Sequence, residues 1–160
     1  MAQIQPGRMT HSHDGPLVVF LIGMRINQPW RPDLWMPAFA AMPRMLAELS
    51  ADPASGLLSH RAFLGRSPFL VQWWDSEDKL YAYASRPDAV HRPAWAAFNR
   101  RARKAAGAVG IWHETYVVDR AESIYVGMPP TGLGRATSLV PVGRSADRAA
   151  ARLAAGATGR

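Results

Sequence analysis

Residues 17–27, LVVFLIGMRIN, constrain the fold more than any other part of the chain. They are β-branched and aromatic, and both sets of alternating positions are apolar as far as Arg25, as in a strand buried on two sides. A sheet built around such a strand needs cover on both faces. The run Leu17 to Met24 falls well short of the ~20 apolar residues that span a bilayer, and no apolar leader precedes it. These features lead us to expect a soluble cytoplasmic protein with no membrane partner.

The elements that follow are ordered by their punctuation. Asn27-Gln28-Pro29 and Arg31-Pro32-Asp33 break the strand, and Asp33 is placed to cap a helix carrying Trp35, Phe39, Met42, Leu46 and Leu49 on one stripe. Pro43 falls inside that helix and is expected to kink it. Residues 57–65 and 69–74 read as two strands joined by Arg66-Ser67-Pro68, a hairpin connection. Ser76 is an N-cap, followed by a helix with Leu80 and Tyr83; Asp88 caps a second segment with His91, Trp95 and Phe98 at helical spacing. Residues 109–118, VGIWHETYVV, form a last strand with Ile111, His113 and Thr115 on one face and Trp112, Glu114 and Tyr116 on the other.

Strand, helix, strand, strand, helix, strand is the split βαβ order of an α+β, ferredoxin-like βαββαβ fold with a four-stranded antiparallel sheet. The reading divides the chain into a disordered segment (1–14), the ferredoxin-like domain (15–122), an extension packing on it (123–143) and a basic flexible tail (144–160). Helices cover one face of the sheet. The other is apolar, and the simplest cover for it is a second copy of the chain, so a homodimer is expected.

The net charge of +7 has the look of a nucleic-acid binder until it is distributed. Residues 135–160 hold five arginines against Asp147 alone, and residues 1–14 are balanced. Only +3 belongs to residues 15–134, so nucleic acid is not the expected partner. With no cysteine, thiolate zinc sites, iron–sulfur ligation and a cysteine nucleophile are excluded. No phosphate loop, GxGxxG or HExxH occurs.

Chemistry then falls to histidines and aromatics. His91, on a stripe with Trp95 and Phe98, is a candidate proton shuttle or ligand, or a hydrogen-bonded histidine near a helix N-terminus. His113, mid-strand beside Trp112, is likewise a functional candidate, or a histidine bonded across the sheet or a dimer interface. His11, His13 and His60 look peripheral. Trp73, Trp74, Trp95 and Trp112 fall on elements that meet, and can wall an apolar cavity in which Gln72, Tyr83 and Arg25 are scarce polar groups. Tyr116 joins them as a substrate-binding candidate. Arg25 can clamp a substrate oxygen, or pair with Glu114. The same aromatics also serve as plain core, and Met36, Met42 and Met45 as adaptable packing.

Taken together, VVFLIGMRIN, WRPDLWMPAFAAMPRML, HRPAWAAFNRR, VGIWHETYVV and IYVGMPPTGLGRA resemble a family of bacterial and fungal proteins grouped with antibiotic-biosynthesis-type monooxygenases. The resemblance runs from about Val18 to Val142. It implies the dimeric α/β-barrel superfamily, and a small monooxygenase-like oxidoreductase of specialised metabolism acting on a hydrophobic or aromatic small molecule. In cofactor-independent members the substrate is deprotonated and then oxidised by dioxygen in an aromatic pocket. The corresponding residue types here are Trp74, Tyr83, Arg25 and His113. Haem-binding branches, including aldoxime-dehydratase-like proteins, imply His113 or His91 as an axial ligand. The sequence therefore carries three readings: a cofactor-free monooxygenase with His113 or His91 as base and Arg25 as oxygen clamp, a haem enzyme, and a non-catalytic small-molecule-binding protein.

Overall fold

The computed structural model describes residues 3–86 and 91–156; the side chains of His91, Arg92, Ala94, Trp95, Ala102 and Lys104 lie outside the description, as does the expected cap Asp88. The two-sided apolar segment is β2 (Val18–Ile26), which sits inside a four-stranded sheet. It pairs antiparallel with β4 (Phe69–Trp74) on one side and β5 (Val109–Val117) on the other, and β3 (Leu57–Phe63) closes the far edge of β4. The crossovers are α1 (Pro32–Ala51), then α2 (Glu77–Ser85) followed by α3 (His91–Lys104). The order β3-β4-β2-β5 is the α+β, ferredoxin-like arrangement.

Two local details differ from the sequence reading. Helix α1 runs unbroken through Pro37 and Pro43, and its N-cap is Arg31, without a side-chain cap. Asp33 instead lies in the first turn, paired with the Arg31 guanidinium at 2.8 Å. Ser76 does cap α2, accepting from the Lys79 amide at 3.1 Å.

Register assigns each side chain to a face. One row runs His60, Gln72, Phe20, Thr115 across the four strands, and the next runs Ala62, Leu70, Ile22, His113. By strand alternation these rows share the face toward the helices. Val19, Leu21, Gly23 and Arg25 take the outer face with Trp73, Trp112, Glu114 and Tyr116. At Gly23 the outer face has no room: an added Cβ would stand 2.7 Å from both the Phe69 Cβ and the Trp112 ring.

The ends of the chain correct the expectation of disorder. Residues 5–12 form β1 (Gln5–Ser12), the middle strand of a second sheet between β6 (Tyr125–Met128) and β7 (Ser138–Pro141). QPGRMTHS shows no two-residue alternation because its order comes from partners over a hundred residues away. Thr10 and His11 are tied down by Ser123, the hydroxyl of Thr10 donating to its carbonyl at 2.8 Å. The extension after β5 reaches the outer face of the main sheet. Arg61 donates to Thr131 at 2.9 Å, and Gly132, at φ 54°, precedes the short helix α4 (Leu133–Ala136) and faces the buried Trp73 ring. Part of the cover assigned to a second copy is thus supplied by the chain itself.

The basic tail is likewise ordered over residues 144–156. It forms a 3-10 turn and then α5 (Ala149–Ala155), whose Arg152 is buried. That guanidinium donates to Glu122 at 2.7 Å and to the carbonyls of Ala146 and Asp147, so its charge anchors the segment and is not presented to solvent. Arg8 of β1 pairs with Asp147, joining the two ends.

Gly23→Val should lower unfolding stability by about 1–3 kcal/mol, the usual cost of overpacking. Denaturant melts followed by tryptophan fluorescence measure this; an unchanged midpoint would contradict the close packing at Gly23.

Candidate active site in the cavity between sheet and helices

The helix-facing rows of the sheet do not meet α1 directly. Between them lies a cavity of about 810 Å³, within the range of small-molecule sites. Its α1 wall takes Phe39, Met42, Leu46 and Leu49 from the stripe seen in the sequence and adds Met45, while Trp35 of that stripe is not part of it. Leu80 and Tyr83 of α2 and Phe98 of α3 close one side. The floor is apolar at Phe20 and Ile22, and its polar groups are His60, Gln72, His113 and Thr115. No carboxylate lines the cavity among the described residues.

Trp74 is fully buried at the end of β4, and its indole N–H donates to Gln72 Oε1 at 3.0 Å. An indole can only donate, so this contact fixes which end of the Gln72 amide is oxygen. Tyr83 stands where the apolar cavity meets a small polar pocket between α1 and α2, which Glu48 and Arg86 also line. Its hydroxyl donates to Glu48 at 3.2 Å. Burial first, then the Glu48 charge and this bond, push the phenol's ionisation well above its usual range, so Tyr83 keeps its proton. His60 is half-buried; burial, then the charge of Arg135 on α4, hold its imidazole below the ordinary histidine value. His113, exposed on edge strand β5, has its ring 5.8 Å from that of Phe20.

Of the residues singled out in the sequence, the structure brings His113, Trp74, Tyr83 and Gln72 to this cavity. It separates Arg25 from them. Arg25 lies on the outer face and donates to Ser67 Oγ at 2.9 Å, and Glu114 accepts from Tyr116 at 2.7 Å instead of pairing with Arg25. A substrate held beside His113 is therefore out of reach of Arg25. Trp73 and Tyr116 also face outward. The side chains of His91 and Trp95 lie outside the described residues. The residue that sequence reasoning passed over is His60, set aside as peripheral. The signal was the hairpin: once β3 is registered on β4, His60 stands opposite Gln72.

Solved structures are similar to parts of the chain. The chain matches aldoxime dehydratase OxdRE, solved with butyraldoxime, at a TM-score of 0.60 and 20% identity, covering 81% of this chain and 40% of that one. The chain thus spans well under half the length of that enzyme. SnoaB, a cofactor-independent oxygenase from Streptomyces nogalater, matches at a TM-score of 0.41 and 14% identity, covering 65% of this chain and 94% of its own. A putative antibiotic biosynthesis monooxygenase from Caulobacter crescentus CB15 matches at 0.45 and 14%, covering 62% and 89%. No curated protein sequence matches the chain. The Monooxygenase af470-like family matches residues 17–133, strands and helices of the main sheet together, and the chain belongs to that family.

Proposed function

We propose that the chain is a monooxygenase-like oxidoreductase that takes a hydrophobic, aromatic small molecule into the cavity on the helix side of its sheet. The observation that carries this reading is the cavity itself: about 810 Å³, walled by Phe39, Met42 and Leu46, with a few polar side chains on its floor. Membership of the Monooxygenase af470-like family supports the reaction class.

The chemistry balances without a bound cofactor. A floor imidazole takes a proton from an acidic position of the substrate, and the resulting anion gives electrons to dioxygen. One oxygen atom enters the product, a methylene becoming a carbonyl, and the other leaves as water. His113 and His60 are the imidazoles in place; Arg25 has no part, because it stands on the other face. The walls are largely apolar, so the substrate's ring system is held by packing and the few polar side chains of the floor orient its reacting end.

A haem form of the enzyme is the second reading, favoured by the likeness in fold to aldoxime dehydratase. The donor types suit it: His60 and His113 are imidazoles on the floor, and Met42 and Met45 line the facing wall. Haem held there would supply dioxygen and one-electron chemistry. The chain is also proposed to dimerise through what its own extension leaves of the outer sheet face, where Tyr116 remains half exposed.

Purified protein given a flat tricyclic phenol should consume dioxygen and place one labelled oxygen atom in the product. Leu46→Trp, which fills the cavity, should weaken binding at least tenfold with the circular-dichroism spectrum unchanged. Binding without oxygen uptake would favour the non-catalytic reading. A Soret band on adding haemin, lost in His113→Ala or His60→Ala, would favour the haem form. Sedimentation at micromolar concentration should show a dimer; a monomer would remove that part of the proposal.

A further inference from the structure

We propose that His60 and Gln72 act together as the proton acceptor and the oxygen-holding donor of the cavity, and that the group they take is a phenol or enol hydroxyl on a flat apolar ring system. This rests on the cavity being the substrate site and names the end of it at which the reacting oxygen lies.

The pair is set by the hairpin. His60 and Gln72 are directly opposed on β3 and β4, both on the cavity face, so their Cβ atoms stand about 5 Å apart. An oxygen atom placed above them meets both side chains. Gln72 is buried, and its amide cannot rotate freely: the Trp74 indole occupies Oε1. The Nε2 donors are left for the cavity, and they have no protein partner among the described residues. An unpartnered amide N–H on a residue that lines a cavity is well suited to an oxygen that gains negative charge during reaction.

The charged and titratable surroundings select His60 over His113. Arg135 on α4 is the cation that acts on His60; its sequence neighbour Arg61 points away and donates to Thr131. Across the cavity, Tyr83 is committed to Glu48. His113 lies on the opposite edge strand, three strand spacings or roughly 14 Å away, too far to share the same oxygen. It is also exposed, whereas His60 is half-buried and, with its proton affinity lowered, is neutral at physiological pH and free to accept. A weaker base loses driving force, and donation from Gln72 to the oxyanion offsets that loss. In the step itself the substrate O–H bond breaks and an N–H bond forms on the His60 imidazole. The electron pair stays on the oxygen, which accepts from Gln72 Nε2.

The test uses the full chain with 4-nitro-1-naphthol, whose anion is coloured, and its methyl ether, which cannot ionise. Bound to the wild type, the naphthol should ionise at a pH at least one unit below that of the free compound, a tenfold shift. His60→Asn should abolish the shift while the ether still binds within about twofold. Gln72→Glu keeps an acceptor for the Trp74 indole but sets a negative oxygen beside the anion; it should move ionisation to higher pH than in the wild type. Ether binding by each variant shows that it has folded. A shift that survives His60→Asn, or that disappears only in His113→Asn, overturns the pair while leaving the cavity as the binding site. If neither compound binds the wild type, the site reading and the pair fall together.

Discussion

A central strand that is apolar on both sides cannot be left half covered, and the rest of this structure is arranged around meeting that demand for β2. The two faces are met by different devices. On one, α1 and the α2–α3 crossover stand off far enough to leave a cavity, so the apolar side chains of Phe20 and Ile22 form its floor instead of packing fully against the helices. On the other, the cover is close: Trp112 and Phe69 occupy the space left by the missing side chain of Gly23, and the extension after β5 brings Gly132 to Trp73. The unevenness of this cover is what creates the cavity. A sheet packed equally tightly on both sides would have no room for a ligand.

The polar content of the cavity follows from the same division. Alternation along a strand sends neighbouring side chains to opposite faces, so each polar residue is either in the cavity or excluded from it. His60 and Gln72 share the inner face with Phe20, while Arg61 and Arg25 are spent on Thr131 and Ser67 outside it. Tyr83 adds a phenol pinned by Glu48. The result is a largely apolar chamber whose ionisable groups are few among the described residues.

Much of this was legible in the residues themselves. The two-sided pattern of residues 17–27, the stripe Phe39, Met42, Leu46 and the alternation that separates His113 from Glu114 are all local, and local periodicity survives into the structure. What could not be read depends on register between distant strands. Arg25 looked like a substrate clamp because its position near the end of an apolar strand is visible, whereas the face it takes relative to His113 is settled only when β2 is aligned on β5. His60 looked peripheral because its partner Gln72 is identified only by the pairing of β3 with β4. The same holds more strongly for residues 5–12, whose polar sequence becomes a strand only because two partners arrive from the other end of the chain.

That last feature bears on how the molecule comes into being. The four strands of the main sheet lie within residues 18–117, so its pairings need nothing from β6 or β7. Strand β1 precedes the main sheet in the chain, yet its partners β6 and β7 begin only at residues 125 and 138. The pairings of the outer sheet join residues more than a hundred positions apart, and closing loops of that length costs more conformational entropy than closing the hairpin of β3 and β4.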